Sequence, residues 1–273
     1  MTHIAVLQST TGIDPQANAT CLAGAINTSA DRGAVMLFTP EMSGLLDRDR
    51  ERARKSIVHE DKNPVLEAVR NRAAQKGIWV ALGSLAILRQ DGRWANRSLL
   101  INDNGDIVAR YDKMHMFDVE LASGESWKES DAYVAGDQVV VAETPIGRLG
   151  LTVCYDLRFP GLFEELGRQK CDAIAIPASF TVPTGKAHWH ILQRARAIEA
   201  SAYVIAAAQV GKHADTRQTY GHSLVVDPWG EVMLDLGGNI AGLGFAEITQ
   251  DRLFSAREQV PSLENKRKIT CRA

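Results

Sequence analysis

The sequence lacks the features that mark membrane proteins and nucleic-acid-binding proteins. No apolar run reaches about 18 residues, so no transmembrane helix is predicted. The formal net charge is −2 and the pI is near 6.4, which gives no reason to expect nucleic acid or an anionic membrane as a partner. The N-terminal segment runs straight into a strand-like stretch, without a charged leader or a cleavage site. We therefore expect a cytoplasmic protein that binds neither nucleic acid nor membrane.

Cysteine is scarce and dispersed along the chain. The four cysteines are Cys21, Cys154, Cys171 and Cys271. They form no C-x-x-C pair, and no cluster of His and Cys has the spacing of zinc ligands. Disulfides are rare in a reducing cytoplasm. The sequence therefore predicts no disulfide, no metal and no cofactor, and a single cysteine taken alone is most simply a small buried side chain.

What the sequence does contain is an alternation of strand-like and helix-like segments. Short runs rich in Val, Ile and Leu recur between Gly, Pro, Asn or Asp residues, a pattern typical of strands. Helical spacing marks three segments, residues 15–33, 63–77 and 185–201. In the last of these, the spacing predicts that Leu192, Ala195 and Ile198 share one apolar face.

Turn residues define how these segments connect. Hairpins are predicted at three turns, Asp91-Gly92, Asn104-Gly105 and Pro228-Trp229-Gly230. Asn63 followed by Pro64 predicts the start of a helix. Hairpins combined with helical crossovers imply mixed sheets covered by helices. No linker, repeat or break in composition divides the chain. We therefore predict one α/β domain over residues 1–273, with a two-sheet core and outer helices.

Three side chains that can do chemistry each follow a strand-like run. Glu41 follows the run "VMLFTP", Lys113 follows an alternating strand, and Cys154 follows "GRLGLTV". Each has an ordinary structural explanation when taken alone, because glutamate and lysine are mostly solvated and a lone cysteine is mostly a core residue. Together they form a coherent set. A thiol needs a base or a positive neighbour to react, a shielded carboxyl can accept and return a proton, and an ammonium can hold an oxyanion.

The segments around these residues resemble a known family. The stretches "FTPEMSG", "RYDKMHMFDVE" and "GLTVCYDLRFPGLF" are similar to the Glu, Lys and Cys motifs of the carbon–nitrogen hydrolase (nitrilase) superfamily, in that family's order. The similarity continues through residues 177–209 and 220–232, so that it covers nearly the whole chain. The resemblance implies a four-layer α-β-β-α sandwich with mixed sheets, and a homodimer.

The resemblance also implies catalytic roles. Cys154 is the expected nucleophile, Glu41 the general base and Lys113 the oxyanion stabiliser, in hydrolysis of a linear amide through a thioester. The backbone N–H of Tyr155 is the expected second oxyanion donor. A pseudoenzyme usually loses one member of such a set, which argues against a non-catalytic interaction protein on the same fold. A redox-sensing thiol is disfavoured because no resolving cysteine lies near Cys154.

A second glutamate is characteristic of the family. Glu129, sixteen residues after Lys113, matches that position and is expected to orient Lys113 or the substrate amide. Glu120 and Glu125 remain rival candidates on sequence alone.

Specificity is expected to depend on an arginine after the nucleophile. Arg158 either forms a surface ion pair or binds a substrate carboxylate, for which a guanidinium is well shaped. The resemblance favours the second role, because Arg158 with Phe180 and Thr184 matches a branch whose substrates carry a carboxylate near the amide. The partner predicted here is therefore a small carboxylated amide.

The loop at residues 206–230 narrows the choice of amide. It is similar to the corresponding loop of family members that act on deaminated glutathione, which implies hydrolysis of the terminal amide of that compound with release of ammonia. The alternative substrate is 2-oxoglutaramate. Lys212, His213 and Arg217 would form a basic loop near an anionic substrate, or an ordinary solvated loop. His188 and His190, on the neighbouring helix, are expected to pack or to contribute to a dimer rather than to bind metal.

Overall fold

The computed structural model describes residues 1–120, 124 and 126–268, and β-strands form its centre. The strands are β1 (Thr2–Gln8), β2 (Met36–Phe38), β3 (Trp79–Leu88), β4 (Trp94–Ile101), β5 (Ile107–Asp112), β6 (Asp118–Glu120), β7 (Ser126–Lys128), β8 (Val141–Thr144), β9 (Gly147–Leu151), β10 (Ala173–Ala175), β11 (Tyr203–Ala206), β12 (Val210–Lys212), β13 (Gln218–Tyr220), β14 (Leu224–Val226), β15 (Val232–Asp235) and β16 (Gly242–Ile248). One six-stranded sheet has the order β16-β1-β2-β3-β4-β5, and a second has the order β15-β14-β11-β10-β9-β8. Parallel and antiparallel pairs occur in both, so both sheets are mixed, as predicted.

Helices cover the outer faces of the two sheets. They are α1 (Pro15–Asp31), α2 (Arg50–Arg54), α3 (Pro64–Lys76), α4 (Pro160–Arg168), α5 (Val182–Ala200) and α6 (Gln250–Gln259). One apolar cluster joins α1 and α3 to the first sheet, and a second fills the space between the sheets and reaches α4 and α5. The predicted α-β-β-α layering is therefore confirmed. No helix in the described part of the chain is long and apolar enough to cross a membrane.

Local sequence signals explain where several elements begin and turn. The Asn63 side chain accepts hydrogen bonds from the backbone N–H groups of Val65 and Leu66, so that it caps α3, and Pro64 occupies the first turn. The helix ends at Gly77, whose positive φ of 61° suits a residue without Cβ. Antiparallel pairing of β3 with β4, β4 with β5 and β14 with β15 confirms the three predicted hairpins.

The apolar face predicted for α5 is not the face that this helix buries. Ile198 is 50% exposed, and Leu192 and Ala195 are only partly buried. The buried residues of this helix are Gly185, Trp189, Gln193, Arg196, Ala197 and Ala200. Arg196 takes a core position because its Nε donates to the carbonyl of Leu157 at 2.9 Å, which satisfies the buried guanidinium. Apolar spacing does not mark the buried face because two polar residues, Gln193 and Arg196, lie on it.

The sheet topology brings the three candidate catalytic residues to neighbouring strand ends. In the first sheet, β5 runs in the same direction as β2 and β3, because two antiparallel pairings separate β5 from β3. Glu41 follows β2 and Lys113 follows β5, so they leave the same edge of the sheet. Cys154 follows β9 of the second sheet. The two sheets are joined beyond their strands, where the N–H of Val210 donates to the carbonyl of Ser9 at 2.8 Å.

Candidate active site

Glu41 lies in a tight loop that is held against β3. The N–H of Met42 donates to Ser84 Oγ at 2.9 Å, and a bulge interrupts the β3–β4 pairing at this point. Gly83 lets the Glu41 loop and β3 approach this closely, because a Cβ at this position would lie 2.0 Å from the carbonyl oxygen of Thr39. The Glu41 side chain is 5% exposed. A buried carboxylate is thus fixed on a short, closely packed loop.

Cys154 occupies a strained position at the start of a short 3₁₀-helix, Cys154–Arg158. Its φ is +49°, in the left-handed region that non-glycine residues rarely adopt. Its N–H donates to the carbonyl of Pro177 at 2.8 Å, which ties this turn to the end of β10. The residue is 7% exposed. The backbone therefore turns sharply at the cysteine and keeps its thiol at the mouth of the space between the sheets.

Asp156 holds this turn to the loop that follows Lys113. Its carboxylate accepts hydrogen bonds from the N–H of Val153 at 2.8 Å and from the Tyr111 hydroxyl at 2.6 Å. It also accepts from the N–H of His115 at 3.1 Å, and the His115 imidazole lies 2.7 Å away. Asp156 is not among the site residues predicted from the sequence. The sequence signal that could have identified it is an acidic residue directly after an apolar, strand-like run.

Lys113 lies between two carboxylates. Its Nζ donates to Glu41 Oε1 at 3.1 Å and to Glu129 Oε2 at 2.8 Å. Asn96, fully buried in β4, bridges the same pair through its Nδ2, at 2.9 Å from Glu41 Oε1 and 3.1 Å from Glu129 Oε1. Since Lys113 is only 2% exposed, its charge is compensated by these neighbours rather than by water. Sequence reasoning missed Asn96, for which an asparagine inside an apolar strand was the available signal.

The structure separates the candidates for the second glutamate. The Glu129 carboxylate contacts Lys113 and also accepts from the N–H of Phe117 at 2.7 Å. Glu120 is exposed in β6. Glu125 lies outside the described residues. Of the described candidates, Glu129 is the one that reaches Lys113, and its predicted role stays a prediction.

Charges in this cluster favour a neutral thiol beside a protonated lysine. Burial raises the pKa of the Cys154 thiol well above its usual value, the Glu41 carboxylate raises it further, and Lys113 only partly opposes this. Burial alone would lower the pKa of Lys113, but the carboxylates of Glu129 and Glu41 outweigh it and raise that pKa. A thiol in this state reacts as a nucleophile only with the help of a base. The Glu41 carboxylate contributes to the raised pKa of Cys154, and its Oε2 is held by the N–H of Ser179 at 2.9 Å.

A cavity of about 260 Å³ opens in front of Cys154. The predicted binding residues Tyr155, Arg158, Phe180 and Thr184 all line it. The Arg158 guanidinium carbon lies 5.3 Å from the centre of the Phe180 ring, and Nη1 lies 3.2 Å from Nδ1 of His188. Among the described residues, no carboxylate forms an ion pair with Arg158. A cation that lines the cavity is thus available to an anionic ligand.

The predicted basic loop is wrong in part. His213 is buried between the carbonyl of Thr11, 3.0 Å from Nδ1, and the hydroxyl of Thr219, 2.8 Å from Nε2. Burial lowers the pKa of His213, so the imidazole is neutral near pH 7 and contributes no charge. Lys212 is exposed, and Arg217 lines the cavity. Of the three residues, only Arg217 faces the space where a substrate would bind.

His190 lies in a small polar cluster on the far side of α5. Its Nε2 is 3.0 Å from Asp235 Oδ2, and His222 Nδ1 is 2.9 Å from Asp235 Oδ1. Both imidazoles therefore contact the same carboxylate. His188, two residues earlier, contacts Arg158 instead.

Known proteins resemble this chain over nearly its whole length. The sequence profile of the carbon-nitrogen hydrolase family matches residues 3–258. The chain is 38% identical over 271 residues to the deaminated glutathione amidase of Yersinia enterocolitica, a match that covers 98% of this chain and 94% of the relative. It is 42% identical over 212 residues to the deaminated glutathione amidase of Dictyostelium discoideum, which covers 76% of this chain and 73% of the relative.

A solved structure shares the fold. The crystal structure of the C. elegans NitFhit protein superposes with a TM-score of 0.90 at 35% identity, and the match covers 97% of this chain and 65% of that chain. The two six-stranded sheets and their outer helices thus have a full-length counterpart.

Proposed function

The chain belongs to the carbon–nitrogen hydrolase family, and we propose that Cys154, Glu41 and Lys113, positioned by Glu129, hydrolyse an amide through a thioester. The observation that carries this proposal is the buried contact of Lys113 with both carboxylates beside a strained cysteine. Burying these charges costs free energy, and buried charges of this kind are concentrated at functional sites. This disfavours a non-catalytic protein on the same fold.

Acylation begins with attack of the Cys154 sulfur on the amide carbonyl carbon. Glu41 takes the thiol proton during the attack, because the raised thiol pKa keeps sulfur protonated in the resting enzyme. The new oxyanion is held by the Lys113 ammonium and the backbone N–H of Tyr155. Collapse of the tetrahedral intermediate breaks the C–N bond, and Glu41 returns the proton to the leaving amine.

Deacylation uses the same groups. After the amine departs, a water molecule attacks the thioester carbon while Glu41 removes a proton from that water. The second oxyanion is again held by Lys113, and its collapse releases the carboxylic acid and the Cys154 thiolate, which regains the proton from Glu41. Glu129 takes no proton in this cycle. It accepts a hydrogen bond from Lys113 Nζ and thereby keeps the ammonium aimed at the oxyanion position.

The substrate we propose is deaminated glutathione. Relatives of this name are similar to the chain over nearly its full length. The substrate also suits the cavity, because its 2-oxo acid carboxylate can pair with Arg158, which has no carboxylate partner of its own among the described residues. Phe180 and Thr184 line the cavity around Arg158. Transaminases form deaminated glutathione by mistake, so its hydrolysis would be a metabolite-repair reaction.

The leaving group follows from the covalent structure of this substrate. The amide that is cleaved joins the 2-oxo acid to the cysteine residue, whose nitrogen is the leaving atom. Hydrolysis therefore yields 2-oxoglutarate and cysteinylglycine. The expectation of ammonia release is therefore wrong for deaminated glutathione, which has no primary amide. Ammonia is the leaving group only for the alternative substrate, 2-oxoglutaramate.

The two substrates give a direct test, because both yield 2-oxoglutarate. We expect kcat/KM for deaminated glutathione to exceed that for 2-oxoglutaramate by about tenfold or more, since the larger leaving group adds binding contacts. Release of 2-oxoglutarate, followed with glutamate dehydrogenase, NADH and an excess of added ammonium, measures both on one scale. A preference for the smaller amide would show that the alternative is correct.

We also propose that the protein is a homodimer that pairs through α5. Ile191 is 70% exposed, Ile198 is 50% exposed and the neighbouring Trp229 is 56% exposed, which leaves an apolar surface of the kind that a second copy covers. Replacing both isoleucines with glutamate should shift the sedimentation coefficient from dimer to monomer. Val108→Glu, which changes an exposed residue of β5, is the control and should remain dimeric. A wild-type monomer would refute the proposal.

Two further expectations belong with this function. We propose that residues 1–273 act as one hydrolase domain, because the site takes Glu41 and Lys113 from the first sheet and Cys154 from the second.

We propose a cytoplasmic location, since a catalytic thiol must stay reduced. Within the described residues, Cys21, Cys154 and Cys171 are free thiols. Cys271 lies outside them.

A further inference from the structure

The cavity contains a second cationic region, formed around Trp127. The guanidinium carbon of Arg48 lies 5.7 Å from the centre of the Trp127 ring, and that of Arg217 lies 4.9 Å from it. All three residues line the same cavity as Cys154. They come from three segments far apart in sequence, so this arrangement exists only in the folded protein.

Arg48 is not neutralised by the acids beside it. Asp47 is already bound to Arg52, at 2.6 and 2.8 Å, and this contact lowers the pKa of Asp47. Asp215 accepts from Arg217 Nε at 2.7 Å and from the backbone N–H of Arg48 at 2.8 Å. Among the described residues, no carboxylate forms an ion pair with the Arg48 guanidinium. An anion entering the cavity would therefore find a guanidinium without a competing partner.

This region is separate from the one around Arg158. The Phe117 ring contacts one aromatic ring of each region, with its centre 6.5 Å from that of Trp127 and 5.1 Å from that of Tyr155. The Arg158 guanidinium lies on the Tyr155 side, 5.8 Å from that ring. The cavity thus contains one cationic region beside Trp127 and another beside Tyr155, an arrangement that suits a ligand with two anionic groups.

We propose that Arg48 and Arg217 form a subsite that binds the carboxylate of the leaving amine, at the opposite end of the substrate from the acyl carboxylate bound by Arg158. The inference rests on the proposed function, because in deaminated glutathione this second carboxylate is that of the terminal glycine. Trp127 supplies a flat apolar wall. Its Nε1–H is buried without an acceptor among the described residues, and the peptide carbonyl of cysteinylglycine provides one.

The subsite explains how one active site can distinguish the two candidate amides. 2-Oxoglutaramate has a single carboxylate, on the acyl side, and its leaving group is ammonia. It can contact Arg158 but has no group that reaches Arg48. The contacts of Arg48 and Arg217 are therefore expected to strengthen binding of the dipeptide leaving group. They are not expected to affect the reacting atoms.

The experiment compares three substrates in four proteins. The substrates are deaminated glutathione, its analogue with the terminal carboxylate converted to a carboxamide, and 2-oxoglutaramate. The proteins are the wild type, Arg48→Gln, Arg217→Gln and the control Arg54→Gln, which removes the same charge from an exposed position in α2 outside the cavity lining. KM and kcat are measured separately for each pair.

We expect Arg48→Gln and Arg217→Gln to raise KM for deaminated glutathione about tenfold or more with little change in kcat, because a charge-assisted contact present before and during the reaction is lost. Activity on the carboxamide analogue and on 2-oxoglutaramate should stay within about twofold of the wild type, and Arg54→Gln should change none of the three.

Equal losses on deaminated glutathione and its carboxamide analogue would overturn the subsite, as would unchanged KM values in both cavity variants. A wild type that hydrolyses 2-oxoglutaramate but not deaminated glutathione would overturn the proposed function, and the subsite with it. The wild-type measurements therefore separate failure of the proposed function from failure of the subsite alone.

Discussion

Replacing Cys154 by alanine is expected to reduce kcat/KM for the amide substrate by a factor of about 10⁴ or more, because the bond-forming atom is removed. The fold should survive, since loss of the sulfur only enlarges a cavity that Cys154 already lines, and the turn is held by the backbone contact to Pro177 and by the Asp156 carboxylate. Turnover is measured by release of 2-oxoglutarate, and the fold by circular dichroism and thermal unfolding.

The other thiols supply matched controls for this variant. Cys21 is exposed on α1, and Cys171 is buried beneath the second sheet, where burial raises its pKa to about 12. Cys21→Ala and Cys171→Ala should both keep near-native activity, although the second will lower stability slightly by leaving a small cavity. The thioester predicts a further signature, an acyl adduct on Cys154 by mass spectrometry after rapid acid quenching. Near-native turnover by Cys154→Ala would show that the proposed nucleophile is wrong.

The order of the layers and the strand ends that carry the candidate residues followed from the sequence. Short apolar runs, turn pairs such as Asn104-Gly105 and the Asn63 cap are local signals, and local signals predict local structure. The positions of Glu41, Lys113 and Cys154 just after strands placed them near sheet edges. Their order along the chain, through its resemblance to a known family, then suggested that they meet.

The contacts that orient these residues could not be read from the sequence. Asn96 and Asp156 act through partners up to 55 residues away, and nothing in their own surroundings marks which partners they choose. Arg48 and Trp127 meet only in the folded chain, where the segment before α2 and strand β7 line the same cavity. Charge predictions failed for a related reason, since His213 looks basic in sequence but becomes neutral once burial removes its water.

Replacing Glu41 by glutamine is expected to reduce kcat/KM by a factor of about 10³ or more, because the amide side chain can neither take the thiol proton nor return it to the leaving amine. The shape of the side chain is kept, but Oε1 of Glu41 accepts from Asn96 Nδ2 and Lys113 Nζ, whereas Oε2 accepts from the N–H of Ser179. The single amide oxygen of glutamine can take only one of these two positions, so the hydrogen bonds at the other position are lost. Steady-state rates of 2-oxoglutarate release measure the loss. Unfolding temperature checks that the buried loop is intact.

A thiol titration distinguishes the base from a merely structural carboxylate. The Glu41 carboxylate raises the pKa of Cys154 and Lys113 opposes it, so Glu41→Gln should lower the thiol pKa and make thiolate absorbance near 240 nm appear at lower pH than in the wild type. The variant should thus combine a more readily ionised thiol with lost turnover. Glu129→Gln is the matched control, since Glu129 also contacts Lys113 but takes no proton in the proposed cycle, and a smaller loss of about 10- to 100-fold is expected. Near-native turnover by Glu41→Gln, or a loss in Glu129→Gln that equals it, would contradict the assignment of Glu41 as the base.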